Sequence, residues 1–117
     1  MPEDEEGKRL PFAQAATGAI GIETLLPLAL EMFHNESLTL NKIIETLTIN
    51  PSKILKINKG TLKEGADADL CILDLNAPWV VKADKLKSKS KNTAIEGRKL
   101  QGKILMTYLN GELVFKE

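Results

Sequence analysis

Residues 39–75, TLNKIIETLTINPSKILKINKGTLKEGADADLCILDL, hold the point at which the chain changes character. Up to Leu55 the apolar residues follow a helical period. Leu40, Ile43, Ile44 and Leu47 fall at i, i+3, i+4 and i+7, one apolar stripe, and Thr39 stands where a capping hydroxyl is wanted. Asn50 followed by Pro51 predicts a short second helix, with Asn as N-cap, Pro at N1, and Ile54 and Leu55 turned inward. Between Asn58 and Gly65 that period stops. Gly60 and Gly65 bracket a turn, and Ala68–Leu75 (ADLCILDL) reads as a strand whose apolar centre suggests burial on both faces.

Upstream, residues 1–10 are charged and aperiodic, which predicts a flexible acidic tail. The segment Pro11–Gly21 is rich in Ala and Gly and contains TGAIG, an ordered loop or a close backbone approach. From Ile22 to Phe33 the apolar residues return at helical spacing, with Pro27 tolerable only in or near the first turn. Downstream, Trp79–Val81 forms a short strand after Pro78, and Lys82–Lys91 is a polar excursion longer than a simple turn. Lys103–Leu109 and Glu112–Phe115 flank Asn110-Gly111, the pair favoured by a two-residue type I′ hairpin because both positions need positive φ. The fold class is therefore α+β, helices first and strands after.

Composition narrows the function. With 117 residues the chain has room for one core, and it is too short for a complete (β/α)₈ barrel or dinucleotide-binding enzyme. Sixteen basic and sixteen acidic residues cancel, so no net field draws it to nucleic acid or an anionic membrane. No stretch is apolar for long enough to cross a bilayer, and the N-terminus is not signal-like. The single Cys71 excludes an internal disulfide and fits a reducing, cytoplasmic location.

The candidate chemical groups each carry a plain structural reading. His34, near a helix end and without companion ligands, reads as a surface or capping residue. Cys71 reads as a buried, inert small hydrophobe. Asp67, Asp69 and Asp74 read as turn and strand-edge residues, although they also spell a possible carboxylate cluster. The lysines between Lys82 and Lys91 lack interleaved aromatics and read as a solvated loop. TGAIG has neither the P-loop spacing nor that of a dinucleotide fingerprint.

Taken in order, the motifs resemble the C-terminal part of a dihydroorotase, a zinc-dependent amidohydrolase that interconverts carbamoyl aspartate and dihydroorotate in pyrimidine synthesis. The resemblance rests on PFAQAATGAIGIETLLPLAL (11–30), TINPSKIL (48–55), GTLKEGADADLCILDL (60–75), PWVV, SKSKNTAIEGRKLQGKI and TYLNGELV. GIET and SKSxNT point to dihydroorotase in particular. The resemblance implies that 11–58 are helices left from the end of a (β/α)₈ barrel and that 59–117 are part of a β-sandwich ending in the hairpin.

It also implies an incomplete site. The family's zinc ligands, an HxH pair, a carboxylated lysine or bridging Asp and two further histidines, and its proton-shuttle Asp have no counterpart in this sequence. The expectation is therefore no catalytic residue, no metal ligand and no cofactor in this chain, and no activity from it alone. What the resemblance carries over is substrate binding by the loop backbone at Thr17 and Gly18, although Ala16 stands where the family often has Pro. Expected partners are a second copy, a chain that supplies the barrel, or aspartate carbamoyltransferase, as for a non-catalytic interaction module. Freed from a barrel, residues 1–20 are expected to be disordered.

Overall fold

A computed structural model of the chain describes residue 7, residues 9–15 and residues 17–117. The expected acidic tail lies largely outside the described residues, as does Ala16.

Helix α1 (Leu25–His34) begins after a tight turn in which the Thr24 and Leu25 amides both donate to the Gly21 carbonyl. That turn explains why the helix starts at Leu25 and not at Ile22, which is almost fully exposed. Pro27 falls in the first turn, where its missing N–H leaves no bond unmade. Helix α2 (Leu40–Leu47) has the Thr39 cap, whose hydroxyl accepts from the Lys42 amide at 3.3 Å, and its stripe centres on buried Ile43.

Helix α3 (Ile49–Leu55) corrects two expectations. It starts at Ile49 after Thr48, so Asn50 and Pro51 are inside its first turn rather than forming its cap; Pro is tolerated there because first-turn amides have no intrahelical partner. Its buried residue is Ser52, which bonds back to the Thr48 carbonyl, while Ile54 and Leu55 are 80% and 67% exposed. These two side chains join Thr46, Asn50 and Pro51 around an open apolar concavity of about 400 Å³.

The second half is one antiparallel sheet in the order β1 (Leu70–Val80), β2 (Lys99–Leu109), β3 (Glu112–Lys116). Asn110 and Gly111 take φ of 51° and 80°, the two positive values that the hairpin requires. The two expected strands at 68–75 and 79–81 are instead one, interrupted by a bulge between Asp74 and Pro78. Asp74 builds that bulge by accepting the Asn76 and Ala77 amides on one carboxylate oxygen. Pro78 is tolerated because β1 is an edge strand.

The ADLCILDL run is not buried on both faces, because the helix packed on the sheet, α1, lies over β2. Cys71 is exposed beside Thr107, with Sγ 3.7 Å from its hydroxyl, and Ile72 is exposed as well. The expectation of a buried Cys71 thus fails.

The core sits where helix meets sheet. Val81, Leu86 and Leu100 are buried together, with Ile20, Leu28, Trp79 and Ile95 packed against them. Helix α1 lies over β2, and buried Leu30 reaches so close to Gly102 that a Cβ there would stand 2.5 Å from Leu30 Cδ1. Trp79 Nε1 donates to the Gly102 carbonyl at 3.0 Å, closing the other side of that contact.

This core is small for the mass. A monomeric protein of 12.9 kDa exposes roughly 6,300 Å², whereas this chain exposes 8,954 Å². Its radius of gyration is 16.6 Å, against about 13 Å for a compact chain of this length.

Candidate functional site

The TGAIG loop is held against the loop that follows β1. Ile20 packs on the Val81–Leu86–Leu100 core and makes an isolated bridge with Thr93, its amide donating to the Asn92 carbonyl at 3.4 Å. From the other side Asn92 Nδ2 donates to the Gly18 carbonyl, also at 3.4 Å. Gly18 has φ +82°, a conformation a side chain would strain, and the space where its Cβ would be is open. Thr17 and Gly18 are both exposed. The loop therefore leaves Thr17 and Gly18 open to solvent while its Gly18 carbonyl and Ile20 amide are held by Asn92.

A carboxylate completes the contact. Glu23 lies one turn ahead of α1 and accepts two successive backbone amides, Lys87 at 3.1 Å and Ser88 at 3.0 Å. The GIET and SKSKNT segments, some 64 residues apart, thus meet in space. Composition and periodicity had singled out neither Glu23 nor Asn92, because the partner of each lies far along the chain.

The lysine-rich excursion is pinned at several further points. The Ala83 amide donates to Glu96 at 2.7 Å, Lys91 Nζ donates to the Leu86 carbonyl, and Lys87 Nζ stands 4.0 Å from the centre of the Phe115 ring. Arg98 reaches α1, one guanidinium nitrogen contacting both Glu31 carboxylate oxygens at 2.8 and 2.9 Å.

Asp67 and Asp69 converge on one cation, not on a metal. Lys59 Nζ is 2.7 Å from Asp67 and 2.6 Å from Asp69, and the second Asp69 oxygen accepts the Asn110 amide at 2.9 Å. With Gly111 N–H bonded to the Ala68 carbonyl, this clasp docks the hairpin turn on the linker before β1. The hydrogen bonds it donates to Asp67 and then Asp69 hold the Lys59 ammonium above the ordinary lysine range. The Lys59 bond, and then the Asn110 amide, hold the Asp69 carboxyl below the ordinary carboxylate range. Asp74 stands apart at its bulge.

His34 ends α1, its ring 5.4 Å from that of Phe33, with Nε2 buried and without a hydrogen-bond partner among the described residues. Among the described residues no three His, Cys, Asp or Glu side chains are grouped to hold a metal ion, and no helix is long and apolar enough to cross a membrane.

Comparison with known proteins places this arrangement. The chain is 44% identical to the dihydroorotase of Ehrlichia chaffeensis over 98% of its own length and 26% of that protein's. It is also 44% identical to the dihydroorotase of Acetivibrio thermocellus, over 99% of its length and 28% of that protein's. It thus spans about a quarter of the length of the curated relatives it matches. Among solved structures it is similar to a D-hydantoinase, with TM-score 0.86 at 24% identity over 96% of this chain and 25% of the other. It is likewise similar to the L-hydantoinase (dihydropyrimidinase) of Arthrobacter aurescens, with TM-score 0.81 at 34% identity over 89% of this chain and 24% of the other. The Amidohydrolase family model matches residues 7–114. With nearly every described element inside that match, the chain belongs to the amidohydrolase family.

Proposed function

We propose that this chain is the C-terminal portion of a dihydroorotase, an enzyme that closes carbamoyl aspartate to dihydroorotate or hydrolyses the ring, and that it supplies part of the substrate pocket without the catalytic centre. The observation that carries this reading is 44% identity to two dihydroorotases over at least 98% of the chain. In this reading residues 11–58 are the closing helices of the barrel and 59–117 are the chain's share of the sandwich. The Thr17–Gly18 backbone faces the cyclic amide, where peptide groups without an intervening side chain approach an oxygen-rich ligand closely.

The family's zinc does not fit the described residues. One half-buried His34 at the end of a helix and an ion-paired Asp67 and Asp69 offer no open ligand set. No step through a metal is derived for this chain. Its part is to bind and orient.

A chimera tests the reading. Replacing the matching quarter of the Acetivibrio thermocellus dihydroorotase with this chain is expected to leave an active enzyme, while the 117-residue chain alone shows no turnover with or without added zinc. Turnover by the chain alone, or a folded, zinc-loaded chimera that is inert, overturns it.

The large exposed surface favours a second reading, a non-catalytic module that docks on a separate barrel-supplying chain or on aspartate carbamoyltransferase. Native mass, recorded alone and with each candidate partner, distinguishes the two. A monodisperse monomer that binds neither counts against the module.

A further inference from the structure

The Thr17–Gly18 backbone is not fixed by its own sterics. Gly18 has positive φ with nothing near its missing Cβ, and glycine has more backbone freedom to lose than any other residue. A pocket built on such a backbone needs an outside restraint, because a loop that must be ordered on binding lowers affinity. Among the described residues the structure shows such a restraint, with two grips. Asn92 holds the Gly18 carbonyl through its side chain and the Ile20 amide through its own carbonyl. Glu23 anchors the same Leu86–Thr93 stretch at its other end, through the Lys87 and Ser88 amides. Charge-assisted bonds of this kind are the stronger ones.

Asn92 also keeps Oδ1 buried with no hydrogen-bond partner among the described residues. Its amide is therefore turned to serve Gly18 at the expense of its own acceptor.

We propose that Glu23 and Asn92 are positioning residues, which hold the Thr17–Gly18 backbone in the pose that receives ligand. The proposal rests on the reading of that loop as part of the substrate pocket. Neither side chain need touch the ligand; each acts through the loop.

The test uses the full 117-residue chain labelled with ¹⁵N, dihydroorotate as the probe, the Gly18 amide resonance as the binding signal, and amide exchange at Gly18 and Ile20 as the measure of restraint. Glu23→Ala and Asn92→Ala are expected to weaken dihydroorotate binding and speed exchange by about tenfold each. Glu23→Gln keeps one acceptor oxygen and is expected to fall between wild type and Glu23→Ala. Ile43→Ala, which loosens the α2 core away from the loop, is expected to lower the urea midpoint and leave both loop readouts unchanged.

Wild-type binding with unchanged affinity in Glu23→Ala and Asn92→Ala overturns the positioning role while upholding the pocket. Absence of any Gly18 response in the wild type overturns the pocket reading. The brace is then judged by exchange alone, which supports it if faster in both variants and overturns it if unchanged.

Discussion

Gly60 and Gly65 form a matched pair for separating backbone strain from steric contact. Both have positive φ, 75° and 84°, and they lie five residues apart in one linker. A Cβ on Gly60 would stand 2.8 Å from the carbonyl carbon and oxygen of Thr48 and 3.0 Å from the Ile49 nitrogen, whereas one on Gly65 would meet nothing within 4 Å. Alanine at either site costs about 1–2 kcal/mol for the left-handed conformation. At Gly60 the contact adds about 1–3 kcal/mol, because the obstacle is backbone at the joint between α2 and α3 and not a side chain that swings aside. That same Thr48 carbonyl accepts both the Ser52 amide, at 3.2 Å, and its hydroxyl, at 3.0 Å, so moving it leaves a buried serine without partners. Gly60→Ala is therefore expected to lose about 2–5 kcal/mol and Gly65→Ala about 1–2. With a urea m-value of roughly 1–3 kcal/mol/M the two midpoints separate by about 1 M. Urea unfolding followed by circular dichroism and by the fluorescence of the single Trp79 measures this. Coincident midpoints, or a lower one for Gly65→Ala, would refute the reasoning.

Three further outcomes are expected. The Lys59–Asp69 clasp stabilises fully above about pH 4, because the folded carboxyl is held below its ordinary value, and is lost as pH falls through that lowered value. Its alkaline limit is the mirror image: the ammonium is held high, so the contribution is complete below about pH 10.4 and fades as pH rises through the raised value. The gap in urea midpoint between wild type and Asp69→Asn should then be widest between these limits and close as pH falls through the lowered carboxyl value; a gap independent of pH would remove the clasp. Cys71 is exposed and should react with a thiol reagent at full stoichiometry in the folded chain, as it would not if the strand were buried on both faces. Leu30→Ala should cost about 2–5 kcal/mol, and Trp79→Phe about 0.5–1.5 for its bond to the Gly102 carbonyl, in the same urea assay.

What the sequence made legible was local. Thr39 as a cap, Pro27 in a first turn and Asn110-Gly111 in a hairpin each depend on a few neighbouring residues, and each stands in the structure. Asn50-Pro51 misled because proline fits the third helical position as well as the first, both being positions without an amide partner. The LCIL run misled in another way. Apolar residues on both faces of a strand say that cover is wanted, and the helix packed on the described sheet lies over β2 and leaves Cys71 and Ile72 exposed. The brace on the candidate site was not legible from pattern, since Glu23 and Asn92 reach partners 64 and 74 residues away and nothing in a period of 2 or 3.6 encodes such a pairing. The GIET and SKSxNT motifs marked those segments only through resemblance.

The misplaced apolar residues and the well-placed loop bear on one question, how much of the site this chain specifies by itself. Ile54, Leu55, Leu62 and Val114 are more than half exposed, and Ile54 and Leu55 on α3 stay uncovered among the described residues. Such residues place unmet demand for burial on α3, on the linker and on β3, as Phe12, Ile22 and Leu25 do beside the Gly18 loop and at the start of α1. The residues that hold Gly18, by contrast, find all their partners inside the chain: Ile20 on the Val81 core, Asn92 on Gly18, and Glu23 on Lys87 and Ser88. Assembly with a larger amidohydrolase body would then bring up a loop that is already ordered, and its affinity would carry little of the entropic cost that a floppy glycine loop imposes.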